Sequence, residues 1–303
     1  MMDERGQVQA QRDRIAGAEG SSKALQRERG SFGADHSPAE GRKVDEMRKS
    51  KLNYRRHIVS KWAKTQAVIP NRRLAKYIPE TRKLNRESLK DMLDRHGMVY
   101  VKPNSGTYGI GVMRVEQLAG EGDASYRCHM GTKIHTFTQY DDLYRHIAGL
   151  TRKRMYLAQK GIHLLKYRQR RFDLRVMVQQ SPAGTWQTTG LIGRVAAPGK
   201  IVTNVHNGGT LKPVEVLLQG HAGSAEKARL AWRLRRLGTS VARQLHSKYR
   251  GIKEIGLDVA LDERLHPWIL EINTAPDPYI FRKLKDKRIF ARIYRYAKAY
   301  GRL

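Results

Sequence analysis

Three oxygen-bearing side chains near the C-terminus have the types and spacing to hold a divalent cation. Asp258 sits inside the apolar run IGLDVAL (255–261), and Glu271 and Asn273 end the run WILEIN (268–273). Side chains alternate along a strand, so Glu271 and Asn273 share a face. If the two runs pair as a hairpin turning about Arg264 and Leu265, Asp258 lies opposite Glu271. Directly opposed residues have Cβ atoms roughly 5 Å apart. Two carboxylates about 4 Å apart repel by roughly 4 kcal/mol at an effective dielectric of about 20. Mg2+ or Mn2+ removes that repulsion and takes such hard oxygen ligands. The other reading pairs each carboxylate with one of the chain's many Arg or Lys side chains; Asn273 beside them favours the metal.

A second set lies in VYVKPNSGTYGIGVMRV (99–115). Gly106, Gly109 and Gly111, with Ser105, make a loop whose backbone can approach a phosphate and present N–H donors. Lys102, just before it, adds a positive charge. No Gly-Lys-Ser/Thr follows, and a strand rather than a helix comes next, so neither a Walker A loop nor a dinucleotide fingerprint fits. A strand–glycine loop–strand unit is instead a flap of the kind that covers phosphates, or an ordinary long hairpin turn.

The third set is RRFDLRVMVQ (170–179) followed by GLIGRVA (190–196). Asp173 and Arg175 share one strand face, and Arg194 lies on the next strand. Guanidinium forks suit phosphate or carboxylate recognition; a cross-strand Asp–Arg pair is the plainer alternative. Asn204 and Asn207-Gly208-Gly209 follow in a loop able to present amide donors. The histidines are scattered, without metal-ligand spacing.

The elements that must position these residues can be read from periodicity. MVYVKP (98–103), VMRVEQL (112–118), MYLAQK (155–160), RFDLRVMVQ (171–179) and TWQTTGLIGRVA (185–196) read as strands, the last two joined by the turn SPAG. TKIHTFT continues the sheet. Asn85 or Ser88 caps a helix through Leu89, Met92 and Leu93 that stops at Gly97. DDLYRHIAGLTRK is a helix. Ser224 caps a long helix with Leu230, Leu234, Leu237, Val241 and Leu245 along one face. The tail from Phe281 is helical, with Ile289, Ile293, Ala297 and Tyr300 aligned. Strands with helices between them make the class α+β.

Charge and composition narrow the partners. The chain has 59 Lys and Arg against 28 Asp and Glu, a net +31. Its first 50 residues hold 10 basic and 9 acidic side chains, so +30 of the excess lies in residues 51–303. Such a surface favours polyanions: nucleic acid, acidic polymers, anionic coats or membranes. Residues 1–50 have no apolar period and read as disordered. No apolar window is long enough for a membrane span, the polar N-terminus predicts no signal peptide, and a single cysteine, Cys128, fits a reducing compartment.

Taken in order, KWAK (61–64), YIPET (77–81), VYVKPNSGTYGIGV, RFDLRVMVQ, the segment 194–209, GLDVAL and WILEINTAPDP (268–278) resemble the ATP-grasp superfamily, within it the spore-coat-associated YheC/YheD branch. The resemblance covers roughly residues 58–281. It implies an ATP-grasp fold, two α+β subdomains sandwiching a nucleotide. A helical lead-in (51–97) would precede a lid half (98–160) and a metal-bearing half (161–281), with a basic helix (282–303) at the end. Lys102 then matches the lysine on the nucleotide phosphates, Lys61 an earlier nucleotide lysine, and residues 104–111 the lid. Gln159, Lys160, Gly161 and Ile162 fall where the interdomain hinge meets adenine, largely through backbone. Asp258, Glu271 and Asn273 match the Mg2+ ligands, Arg194 the arginine on the transferring phosphoryl group, and Asp173 with Arg175 a substrate-side pair. About 50 polar residues precede the shared region, so the N-terminal α/β domain of typical members is expected to be reduced or missing, and a partner or second copy to complete the substrate site.

The implied chemistry is carboxylate activation by ATP, through an acyl phosphate, with an amine or thiol as acceptor and an unspecified acid as substrate. The implied place is the cytoplasm, in association with the endospore coat. Two other readings share the sequence: an inactive ATP-grasp scaffold serving as a structural coat protein, and a basic binder of nucleic acid or another polyanion.

Overall fold

The computed structural model describes residues 56–118, 125–152 and 154–303. All belong to one compact unit, Leu52–Leu303. The expected disorder of residues 1–50 lies outside the described residues.

Two antiparallel sheets organise the unit. The first contains β1 (Thr81–Lys83), β2 (Met98–Pro103), β3 (Met113–Leu118), β4 (Ser125–Met130), β5 (Lys133–Phe137) and β6 (Tyr156–Lys160), in the order β1-β6-β2-β3-β4-β5. Numbering the helices along the chain, α1 is Lys61–Val68, α2 Arg72–Ala75, α3 Arg86–His96 and α4 Tyr140–Thr151. The apolar stripes of α3 (Leu89, Met92, Leu93) and α4 (Leu143, Ile147) close over Val99, Val101, Met113 and Val115. Alternation then sends Lys102 to the opposite face, where it is buried against the second sheet. Asn85 is the N-cap of α3, Ser88 completes a capping box, and Gly97 ends the helix at φ 67°. The cap contributes about 1 kcal/mol.

The second sheet contains β8 (Arg170–Gln180), β9 (Trp186–Val195), β10 (Thr210–Lys212), β11 (Glu254–Leu261) and β12 (Pro267–Asn273), in the order β10-β9-β8-β11-β12, with β7 (Lys166–Tyr167) paired to β8. After a short α5 (Val214–Leu217), α6 (Ser224–Lys248) packs its leucines on Phe172, Leu174, Val176 and Val178. Each such leucine contributes about 1.5–3 kcal/mol on burial. Gly238 permits the close approach, since a Cβ there would lie 2.8 Å from Val178 Cγ2. The other face of β8 is therefore free to carry Asp173 and Arg175. Its far end is covered by a 3-10 turn, Tyr279–Lys283, and by α7 (Lys287–Ala299), through Met177, Ile192, Phe281 and Ile293.

Several expectations need adjustment. Ser224 is the first residue of α6 rather than its cap; Gly223 holds the cap position and no side chain caps the helix. The strands β1, β4, β7 and β10 went unread. The segment 51–97 is shared rather than a single lead-in: α1 and α2 pack on α6, whereas β1 pairs with β6 and α3 covers the first sheet. The tail helix begins only at Lys287, capped by Asp286, because Phe281 and Leu284 bury a preceding 3-10 turn.

Candidate nucleotide and metal site

The hairpin of β11 and β12 pairs Val259 with Ile269 and Leu261 with Pro267. A bulge then leaves Leu270 unopposed and shifts the register by one, so Asp258 faces Glu271. A bulged residue drops out of the ladder and re-aims its neighbours. Lys102 exploits the gap: its Nζ crosses from the first sheet and donates to the Leu270 carbonyl at 3.0 Å. The same Nζ donates to Gln159 Oε1 at 2.5 Å, and Gln159 in turn donates to Thr81 Oγ1. Gln159 is thus a buried support for Lys102.

Lys61 joins from α1. Asn104, at the end of β2, accepts from Ser60 Oγ and the Trp62 amide, while its carbonyl accepts from the Lys61 amide. That clamp fixes the start of α1 beside the glycine loop. Lys61 Nζ donates to the Gly106 carbonyl at 2.9 Å and lies 3.5 Å from Glu271. One turn on, Lys64 is 4 % exposed and its Nζ has no hydrogen-bond partner among the described residues. Burial lowers the Lys64 pKa to about 8, opposed by the nearby Glu271 and Asp258 carboxylates and aided by Lys61. Lys102 is held at about 8 for the same reasons, burial first. Three ammonium groups therefore surround two carboxylates at this end of β12.

The arginines and aspartates form a buried chain. Asp173 and Arg194, directly opposed across β8 and β9, make a bidentate pair at 2.8 and 2.5 Å. Thr203 Oγ1 donates to the same aspartate at 2.7 Å. Arg194 also reaches Asp258 Oδ2 at 2.9 Å, and Arg175 Nε donates to Asp258 Oδ1 at 2.7 Å. Asn273 Nδ2 lies 3.4 Å from Asp258 Oδ2. Burial alone would raise the Asp258 pKa, but Arg175 and Arg194 outweigh it and hold the carboxyl below its ordinary range. Burial would likewise lower the Arg194 pKa; Asp173 and Asp258 reverse that and keep the guanidinium charged. Each carboxylate is thus met by a cation, the alternative the sequence left open. Asp258, Glu271 and Asn273 share one end of the hairpin and are of the type a hard divalent ion takes. Both Asp258 oxygens are committed to Arg175 and Arg194, and Asn273 turns its Nδ2 toward Asp258, so Mg2+ or Mn2+ would have to displace these contacts.

The glycine loop leans on the loop after β9. Gly106, Gly109 and Gly111 all have positive φ, at 138°, 72° and 75°. A Cβ on Gly109 would sit 2.9 Å from Asn204 Nδ2. Asn207 Nδ2 donates to the Tyr108 carbonyl, and the Tyr108 ring packs on His206 at 4.1 Å. Ser105 and Ile110 stand exposed on this flap. At the other end, the Lys160 and Gly161 amides are committed to the Glu80 and Met98 carbonyls, both at 2.8 Å. Lys160 Nζ sits over the Trp268 ring, 5.6 Å from its centre, and Ile162 is buried. Among the described residues the Ile162 N–H has no backbone acceptor.

The structure thus gathers Lys61, Lys102, Gln159, Gly106, Asp173, Arg175, Arg194, Asp258, Glu271 and Asn273, while Ser105, Gly109 and Gly111 ride on the flap above and 160–162 lie along its side. Sequence reasoning missed Asn104, Thr203 and Lys64. Only Lys64 left a usable signal, the i, i+3 spacing from Lys61 in KWAK.

Comparison with known proteins converges on one family. Its model, described as YheC/D-like ATP-grasp, matches residues 50–303. The chain is 25 % identical over 227 residues to the endospore coat-associated protein YheD of Bacillus subtilis (strain 168), covering 73 % of this chain and 49 % of that protein. It is 23 % identical over 222 residues to YheC of the same organism, covering 73 % of this chain and 61 % of YheC. The chain therefore spans about half to three-fifths of the relatives it matches. A loose structural likeness to the D-cycloserine synthetase DcsG, at TM-score 0.49 and 12 % identity over 80 % of this chain and 70 % of that one, carries no argument. On a family match spanning residues 50–303, the chain belongs to the YheC/D-like ATP-grasp family.

Proposed function

We propose that the chain binds ATP with Mg2+ or Mn2+ and uses it to activate a carboxylate for transfer to an amine or thiol. The observation that carries this reading is the contact of Lys102, from the first sheet, with the bulged Leu270 carbonyl of the second, next in sequence to Glu271, which faces Asp258. A nucleotide held between the sheets would find its phosphates beside Lys102 and Lys61, under the glycine flap.

In the reaction so proposed, a substrate carboxylate oxygen bonds to the γ-phosphorus as the bond from that phosphorus to the ADP oxygen breaks. The amine or thiol then attacks the acyl carbon, loses its proton, and expels inorganic phosphate. The protein's part is electrostatic. Lys102, locked by Gln159, presents fixed positive charge where the phosphoryl group moves, and Asp173 holds the Arg194 guanidinium in place. Asp258, Glu271 and Asn273 would hold the divalent ion, which when bound supplies charge neutralisation on the phosphate oxygens. Burial keeps water from competing.

The test is a phosphate-release screen of candidate acids with amines and thiols, repeated on Glu271→Gln. Acid-dependent release by the wild type and its loss in the variant support the reading; release indifferent to every acid contradicts it.

A second reading rests on the Asp173–Arg194–Asp258–Arg175 chain, in which both arginines are already neutralised. It makes the protein an ATP-binding scaffold without turnover, associated like its relatives with the endospore coat. It predicts nucleotide binding with no release under any acceptor.

A further inference from the structure

The outer face of α6 carries charge that the site does not use. While its leucines bury against β8, the helix exposes Arg229, Trp232, Arg233, Arg236 and Arg243. Glu226 is the sole acidic residue in its 25 residues. None of these arginines forms an ion pair among the described residues. Their spacing lines them along one side of the helix over about 21 Å, at about 1.5 Å per residue.

Trp232 is the second observation. It is 58 % exposed, with the Arg236 guanidinium 4.6 Å from its ring centre. A large aromatic ring left in water forgoes the burial that usually stabilises it, and such rings mark contact surfaces. A lipid surface would need a continuous apolar face on the helix. Trp232 is the one large hydrophobic residue that α6 exposes. An unpaired nucleic-acid strand needs what the helix has: guanidinium groups for phosphates and an aromatic platform for a base.

We propose that this face of α6 binds single-stranded nucleic acid, with phosphates on Arg229, Arg233 and Arg236 and a base stacked on Trp232. The surface lies on the opposite side of the second sheet from Asp173 and Arg175, so its occupancy is independent of the candidate nucleotide site.

The test titrates the full-length chain with a fluorescent oligothymidine strand and with a duplex of equal length, at several salt concentrations. Each contacted phosphate on a single strand contributes about −0.7 to the slope of log K against log salt. Arg233→Ala/Arg236→Ala should therefore flatten the slope by about 1.4. Trp232→Ala should weaken strand binding by roughly 5- to 150-fold, the range of one base–aromatic stack, and leave duplex binding nearly unchanged. ATP binding and thermal unfolding should be unaltered in both variants. Unchanged affinity and slope would overturn the proposal in favour of diffuse attraction by net charge. Strand binding absent at low salt, with a Trp emission shift on vesicles of anionic phospholipid, would overturn it in favour of a membrane.

Discussion

Lys102 Nζ lies 3.0 Å from the carbonyl of Leu270, the residue that bulges out of β12. One irregularity thus does two things. It aligns Glu271 with Asp258, and it frees a carbonyl to receive a lysine from the other sheet. The ammonium is held without a carboxylate partner in direct contact, which leaves its charge available to a ligand.

Replacing Lys102 with Met should therefore spare the fold and harm binding. The lysine is 9 % exposed and its charge is disfavoured by burial. Its removal should lower ATP affinity by roughly 10- to 150-fold, the loss of one charge-assisted hydrogen bond of about 1.5–3 kcal/mol. Calorimetric titration with ATP and Mg2+ checks this, with thermal unfolding as the control for folding.

The depressed lysines predict a pH dependence. Lys64 and Lys102 titrate at about 8 in the folded chain against 10.5 when unperturbed. Below pH about 8 both are charged, so ATP affinity should be flat; above it each lost proton weakens binding. The stability sign is opposite. Between about 8 and 10.5 the unfolded chain holds more protons, so stability rises with pH there. Lys64→Met removes one such group. Its stability advantage over the wild type should be greatest below pH 8, up to about 3 kcal/mol, and should fade by pH 10.5. Denaturation by urea across pH 7–10.5 measures it.

Asp258 and Glu271 should separate under neutralisation. Asp258→Asn leaves Arg175 and Arg194 buried with one less counter-charge, which costs about 3–5 kcal/mol. That is a fall of roughly 6–20 °C in melting temperature for a fold of this size. Glu271, with its side chain 27 % exposed and 3.5 Å from Lys61, should cost no more than about 1 kcal/mol as Gln. Thermal unfolding of both variants checks the contrast.

Gly109→Ala should act on the flap alone. Its φ of 72° is unfavourable for alanine, and the added Cβ would press on Asn204 and Val202. The strain is about 1–2 kcal/mol, taken up by the flap lifting off the 201–209 loop. The expected outcome is weaker ATP binding with little change in melting temperature, read by titration and by proteolysis of the loop.

How much of this was legible depends on what each signal encodes. Alternation and a turn signal place Asp258 against Glu271, because apolar strands admit one register. They do not reveal the Leu270 bulge, whose freed carbonyl meets Lys102 from another sheet. Face parity puts Asp173 and Arg175 together and leaves a cross-strand Asp–Arg pair open, which the fold realises as Asp173–Arg194. The extension of that pair through Asp258 to Arg175, and Thr203, emerge only from the fold. Ser224 looked like a cap because caps are local chemistry, yet Gly223 takes the position. Lys64 was visible in KWAK, but a buried lysine differs from a solvated one only by what packs over it.

The central claim, that this site binds ATP through a divalent ion held by Glu271 with Asp258 and Asn273, is tested most directly by calorimetric titration of ATP with and without Mg2+ into the wild type and Glu271→Gln. Binding that strengthens with Mg2+ in the wild type, and loses that dependence while the variant stays folded, is the predicted result. Wild-type binding that is absent, or equally tight in the two proteins with and without the ion, would contradict it.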